Sequence, residues 1–186
     1  MIITISGSLS QNSTNKQLLM AASRLLPLEK CLPVDIAKLP HFNPDFVGPN
    51  LRPKGVCQFD EAVTQAEGII ISTPEYASEI PGALKNALDW LVSTTALTKK
   101  PVLIFTSSGS KSGKVQAALK VVLEMVEAQV ITGPDFHRSE VVGKKSGQVR
   151  GLDSFSKTVL FEIKKALQPL GEAVTHARVQ AIGTNA

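Results

Sequence analysis

The chain has 186 residues, 43% of them hydrophobic and 19% charged, with a formal net charge of +4. That length suits a single domain, residues 1–186, with a sizeable core, and the balance excludes a disordered, fibrous or collagenous chain. The 20 basic residues are scattered apart from a short cluster running from Lys144 to Arg150, so a solvated basic surface is expected and no nucleic-acid partner.

In chain order, MIITIS (1–6) is a short apolar run rich in β-branched residues and reads as a buried strand. A polar turn, GSLSQNSTN (7–15), follows it, and an amphipathic helix runs from Lys16 to Leu26. CLPVDI (31–36) reads as a second strand despite Pro33, because a parallel partner should follow the first helix. The stretch 40–54 is rich in proline and reads as a flap-like loop. Phe59 to Ala66 is amphipathic and leads into the strand GIIIST (68–73). In the next predicted helix, Gly82 to Val92, residues Ala83, Leu84, Ala87, Leu88 and Leu91 make one apolar stripe while Lys85 and Asp89 stand four apart on the polar side. Trp90 lies at the stripe edge, where packing or a subunit contact is expected. PVLIFTS (101–107) reads as a strand, Val115 to Val126 as a helix, AQVITG (128–133) as a last strand and Phe155 to Leu170 as a closing helix.

Strands alternating with helices imply a parallel sheet covered on both faces, with right-handed crossovers. Ligands of such sheets bind beyond the carboxyl ends of the strands. Three polar loops leave those ends here: GSLSQNSTN after the first strand, PEYASEIPG after the 68–73 strand and SGSKSGK after the 101–107 strand. All three can converge on one site. Cys31 and Cys57 lie 26 residues apart with no histidine nearby, which indicates neither a zinc site nor a disulfide framework. With no basic leader and no apolar run of about 18 residues, the expectation is a soluble protein of the cytoplasm that does not engage a membrane.

The first turn has the makings of an anion site. A strand that ends in glycine and feeds a helix leaves backbone N–H groups unpaired at the positive end of the helix dipole. Ser8, Ser10, Ser13, Thr14 and Asn15 add hydroxyl and amide donors, and Gly7 would let the backbone approach a bound phosphate monoester. The same residues also suit a plain helix cap by Ser13 or Asn12 with a solvated loop around it. Other phosphate motifs fail on spacing: there is no G-x-G-x-x-G after the first strand, and GSKSGKV (109–115) is one residue short of a Walker loop and ends in valine. Ser108 to Lys111 matches S-x-x-K without the partner motifs of serine acyl-transfer enzymes. His41, His137 and His176 are far apart and lack metal-ligand spacing, so no metal site is expected.

GSLSQNSTNKQLL, LPHFNPD and above all PEYASEIPGALKNALDWL resemble the NADPH-dependent FMN reductase family of flavodoxin-like proteins, which includes quinone, chromate and azo-dye reductases. The resemblance spans about residues 1–127. It implies a flavodoxin-like doubly wound α/β fold with five parallel strands in the order 2-1-3-4-5, helices on both faces and a bound FMN. Carried over by position, the phosphate loop falls on Ser8, Ser10, Ser13, Thr14 and Asn15. The loop at the isoalloxazine edge falls on Pro74, Glu75, Tyr76 and Ala77 with Ser78 adjacent, and the third flavin loop on Ser107, Ser108, Gly109 and Ser110. Two departures stand out. Many members have arginine where this chain has Ser10, which leaves amides and hydroxyls to hold the phosphate with help from Lys16 or Lys111. Asparagine is frequent where Ala77 stands, although the contact there is made through backbone. Glu75 has no visible carboxylate partner, which favours a structural or interface hydrogen-bonding role.

The implied activity is transfer of a hydride from NADPH or NADH through FMN to a quinone, flavin, azo compound or metal oxyanion, with no catalytic side chain required. The loops at 40–54 and 109–114 are candidates for shaping the acceptor pocket. The family also implies a homodimer or homotetramer. The alternative within the same fold is an FMN-binding electron carrier that does not oxidise pyridine nucleotide, against which the basic charge argues. A further alternative is an anion-binding regulatory domain without flavin.

Overall fold

The computed structural model describes residues 1–26, 31–48, 50–141 and 151–183. The strands are β1 (Ile2–Ser6), β2 (Cys31–Val34), β3 (Gly68–Thr73), β4 (Pro101–Ser108) and β5 (Gln129–His137), all parallel in the order β2-β1-β3-β4-β5. The helices are α1 (Thr14–Leu25), α2 (Lys54–Gln65), α3 (Gly82–Asp89), α4 (Lys114–Met125), α5 (Arg138–Val141) and α6 (Lys157–Gly183). This is the flavodoxin-like order expected from the sequence. The basic cluster from Lys144 to Arg150 lies outside the described residues.

The middle strands read as unbroken apolar runs because both of their faces are covered. Alternate side chains serve opposite layers. Ile3, Ile5, Ile69, Ile71, Val102 and Ile104 join one core with Phe59 and Val63 of α2, Leu84 and Leu88 of α3, and Leu119 and Leu123 of α4. Ile2, Ile70, Leu103 and Phe105 join the other with Leu18 and Ala22 of α1 and Ile163 and Leu170 of α6. Each such buried side chain contributes about 1.5–3 kcal/mol, so two full layers fix which way the sheet faces and hold its carboxyl rim rigid. Pro33 is tolerated because β2 is an edge strand, bonded only to β1.

Four elements depart from the bounds the sequence suggests. Helix α2 begins at Lys54, five residues early: Pro53 caps it through backbone geometry alone, and Val56, Phe59 and Val63 supply its buried stripe. Helix α3 stops at Asp89, and Trp90 and Leu91 are buried in the turn that follows. Helix α6 carries on through Pro169 to Gly183. Packing holds it there: Leu170 and Val174 lie against the start of β3, where a Cβ on Gly68 would come within 2.9 Å of Val174. Strand β5 passes Gly133-Pro134, which looks like a turn in sequence, and continues to His137. Gly133 sits so close to β4 that a Cβ would meet the Ile104 carbonyl at 2.6 Å, and the register shifts there. The extension sets Asp135 opposite Thr106 and His137 opposite Ser108.

At the far end of the sheet from this rim, Glu67 accepts from the Arg178 guanidinium of α6, at 2.6 and 2.8 Å, and pairs with the Met1 ammonium. The Arg178 hydrogen bond first, then that of the ammonium, holds the Glu67 carboxyl down at about 2. Its folded value is depressed, so its stabilisation is present above the ordinary value of 4.5 and lost as pH falls through about 2. Urea unfolding between pH 6 and about 3 should show Glu67→Gln losing less stability on acidification than the wild type. The difference should stay below about 2 kcal/mol because the carboxylate is partly solvated; parallel acid profiles would contradict this role.

Candidate functional site

Polar side chains buried in a sheet must find partners, and here they are gathered at one rim. Apart from Thr4, the buried polar residues among those described are Ser8, Ser13, Thr14, Asn15, Gln17, Ser72, Thr73, Thr106, Ser107 and Ser108, at the carboxyl ends of β1, β3 and β4 or the start of α1. Asn15 is their hub. Its Nδ2 donates to the Ser107 carbonyl at 3.1 Å and its Oδ1 accepts from the Ser72 hydroxyl at 2.9 Å. The Ser107 hydroxyl donates to Thr14 Oγ1 at 3.1 Å. One buried amide thus ties the first turn of α1 to the ends of both β3 and β4.

The turn between β1 and α1 has the cap suggested by its sequence: the Ser13 hydroxyl accepts from the Asn15 N–H. Ser8 is buried, and its N–H donates to the Ser6 hydroxyl. Ser10 is exposed at the tip. The Gly7 N–H donates to the Ser72 carbonyl at 2.8 Å, and a Cβ there would meet Thr73 Oγ1 at 2.3 Å, so its missing side chain makes room for the end of β3. Of the two lysines expected to help hold a phosphate, Lys111 is paired with Glu140 at 3.3 Å, while Lys16 Nζ reaches back over the turn to 3.4 Å from the Leu9 carbonyl.

The loop after β3 begins at buried Pro74 and closes in a tight turn, with mutual backbone bonds between Tyr76 and Glu79 of 3.2 and 2.9 Å. Its central residues, Ala77 and Ser78, both have positive φ, 52° and 65°, which is the pattern of a type I′ turn. Neither is glycine, so the backbone is strained where it stands out from the rim. The Tyr76 ring is 55% exposed and packs in neither core. Glu75, which the sequence left without a partner, accepts from the Ser110 hydroxyl at 2.8 Å and from the Ser112 hydroxyl, both in the loop after β4. The Ser112 bond foremost, against a smaller cost of burial, holds its carboxyl below the usual range, with Ser110, the Lys114 charge and the Val115 amide adding to the effect.

That third loop is held from its other side by β5. Asp135 accepts from the Thr106 hydroxyl at 2.6 Å and from the Gly113 N–H at 3.1 Å. A ring nitrogen of His137 lies 3.0 Å from the Gly109 carbonyl. Within the loop, Ser108 Oγ accepts from the N–H groups of Ser110 and Lys111, which accounts for the S-x-x-K match as a local turn. Sequence reading does not find Ser72, Ser112 or Asp135, and it takes His137 for a surface or loop histidine rather than a brace. Ser112 stands within the loop 109–114, but Ser72 and Asp135 carry no signal.

Across the rim, the part of the proline-rich loop near residue 40 is tied to α3. The Asn86 amide donates to the Pro40 carbonyl and accepts from the Phe42 N–H, the Trp90 indole N–H donates to Pro40 at 2.9 Å, and the Phe42 ring meets Trp90 edge-on at 5.1 Å. A surface groove of about 1120 Å³ lies elsewhere, between the end of α1 and α6. A cleft of about 720 Å³ runs from Ser8, Gln11 and Lys16 along α1 to Arg24 and β2. Chemically, the rim offers an anion a helix start with no acidic side chain in its first turn and buried hydroxyls beside it, with the loops after β3 and β4 alongside. These donors fit a phosphorylated flavin. No group of three or more His, Cys, Asp or Glu side chains among the described residues is arranged for a metal.

Comparison with known proteins gives a consistent picture. The model of the NADPH-dependent FMN reductase family matches residues 1–142. The chain is 30% identical over 185 residues to a quinone reductase of Escherichia coli, covering 96% of this chain and 97% of that one. It is 33% identical over 181 residues to the NADH:(hydroxy)cinnamate reductase subunit CrdA of Vibrio ruber, covering 93% and 88%. Among solved structures, FerB, a flavoenzyme NAD(P)H:(acceptor) oxidoreductase from Paracoccus denitrificans, superposes with a TM-score of 0.74 at 22% identity over 92% of this chain and 97% of that one.

The strain at Ala77 is measurable. Asparagine tolerates positive φ better than alanine does, so Ala77→Asn should raise stability by about 0.5–1 kcal/mol. Urea denaturation of the two proteins decides this, and an unchanged or lowered midpoint would refute the turn geometry.

Proposed function

Because the chain belongs to the NADPH-dependent FMN reductase family, we propose that its carboxyl rim holds FMN, with the phosphate on the turn from Ser8 to Asn15 and the ring between the loops Pro74–Ser78 and Ser107–Ser110. The protein is an FMN-dependent NAD(P)H oxidoreductase, and its acceptor is a small molecule, with quinones first among flavins, azo compounds and metal oxyanions. The observation that carries the site is the concentration of buried polar groups around Asn15, a cost that a protein meets where a ligand requires it. When bound, FMN supplies the redox chemistry by accepting a hydride from NAD(P)H and passing the electrons to the acceptor.

The side chains prepare the site rather than react. Ser13, the α1 dipole and the hydroxyls of Ser8 and Thr14 suit the phosphate; the Lys16 ammonium stands close enough to the turn to balance its charge. The strained backbone of Tyr76 to Ser78 offers amide and carbonyl groups to a ring edge. Glu75 is engaged by two hydroxyls and is not poised as an acid or base. The pinned segment near Pro40 and the loop 109–114 flank the rim and set what can reach an open ring face. The chain works in the cytoplasm, consistent with cysteines that form no disulfide. It assembles as a homodimer or homotetramer, consistent with the solvent-exposed pair Val121 and Met125, four apart on α4. No helix among the described residues is long and apolar enough to cross a membrane.

Mixing the flavin-loaded protein with NADPH under nitrogen should bleach its yellow absorbance, and added quinone should restore it. Flavin that stays yellow would favour the electron carrier, and a protein that takes up no FMN would favour the flavin-free anion-binding domain. A second expectation concerns Ser10. Ser10→Arg places a guanidinium beside the phosphate and should tighten FMN about tenfold. Fluorescence titration reads this directly, and the same substitution should not tighten riboflavin, which has no phosphate.

A further inference from the structure

Helix α4 opens without a cap of its own. Its N-cap residue is Gly113, at a φ of 72°, with no side-chain hydrogen bond, and its first turn contains no acidic residue to meet the dipole. Such helix starts leave donors unmatched and positive potential exposed. Besides Asp135, which accepts from the Gly113 N–H, a second carboxylate reaches this helix start from another loop. Glu75 lies between the end of β3 and the strained Tyr76–Glu79 turn, yet its carboxylate accepts hydroxyls from Ser110 and Ser112, in the segment that leads into α4. The Ser112 hydroxyl in turn accepts the first N–H of the helix, from Lys114, at 3.2 Å.

We propose that Glu75 is a positioning residue for the flavin: by gripping Ser110 and Ser112 at the start of α4, its carboxylate fixes the separation of the two loops that flank the tricyclic ring. This rests on the FMN reading given above. The geometry explains why the anchor is needed on this side. The far side of the loop after β4 is already braced by Asp135, which holds both Thr106 and Gly113, and by His137 against Gly109. Among the described residues no strand braces the loop after β3 in this way: its tip residues Tyr76, Ala77 and Ser78 are exposed and two of them are strained. Glu75 therefore transfers the rigidity of the braced loop to the unbraced one. The ring then meets a slot already set to its width, rather than one it must close at an entropic cost.

The test compares Glu75→Ala, Ser110→Ala with Ser112→Ala, and the three combined, by FMN fluorescence titration and by amide exchange of residues 107–115 in flavin-free protein. The proposal expects about a tenfold weaker FMN complex in each of the first two variants, little further loss in the triple, and faster exchange at the start of α4 without any ligand. Ser112→Thr, which keeps the hydroxyl, should bind FMN as the wild type does. Folding failure of Glu75→Ala would be bypassed by Ser112→Ala and Ser112→Thr, whose difference carries the same prediction. Variants that bind FMN as tightly as the wild type overturn the positioning role alone. A wild type that binds no FMN overturns the flavin reading and this role with it.

Discussion

A single carboxamide holds this rim together. Asn15 lies in the first turn of α1, but its partners belong to β3 and β4, 57 and 92 residues further along the chain. Because it both donates and accepts, no apolar residue of the same shape could serve, and loss of either bond would strand a polar group in a dry place. The two apolar layers fix the sheet, and Asn15 fixes where the helix start stands relative to the strand ends. In the proposed site, an anion on that helix start and a ring between the two later loops would then be held by one framework, at a fixed distance from each other.

Around that hub the loops are stabilised by one another more than by their own sequences. The turn from Tyr76 to Glu79 adopts a conformation that Ala77 and Ser78 do not favour, and the N-cap residue of α4, Gly113, has no side chain to cap with. Each defect is met from elsewhere: Glu75 supplies the negative charge for α4, while Asp135 and His137 reach across from β5. Strain and borrowed capping are common where a surface is shaped for a ligand rather than for stability.

The sheet was legible because buried parallel strands must be apolar on both faces, and β1, β3 and β4 are. The polar turns at their ends were legible for the complementary reason. What sequence could not convey was the job each polar residue does. Serine and asparagine after a strand can cap, bind or brace, and only the positions of Ser72 and Ser107 show that Asn15 braces. That Gly7 also makes room for Thr73 carries no sequence signal. Gly133-Pro134 suggested a turn, yet the bulge it makes lets β5 run on and deliver Asp135 to the rim. Pro53 with Gly55, and Pro169, similarly hid a helix start and a helix continuation that tertiary packing sustains.

Trp90 is the only tryptophan of the chain, has no exposed surface, and is hydrogen-bonded to Pro40 beneath an edge-on Phe42. Tryptophan emission from this protein therefore originates at one spot, under the loop that flanks the rim. A shift in its colour signals that loop lifting from α3 and admitting solvent to the indole, an optical readout built in without labelling.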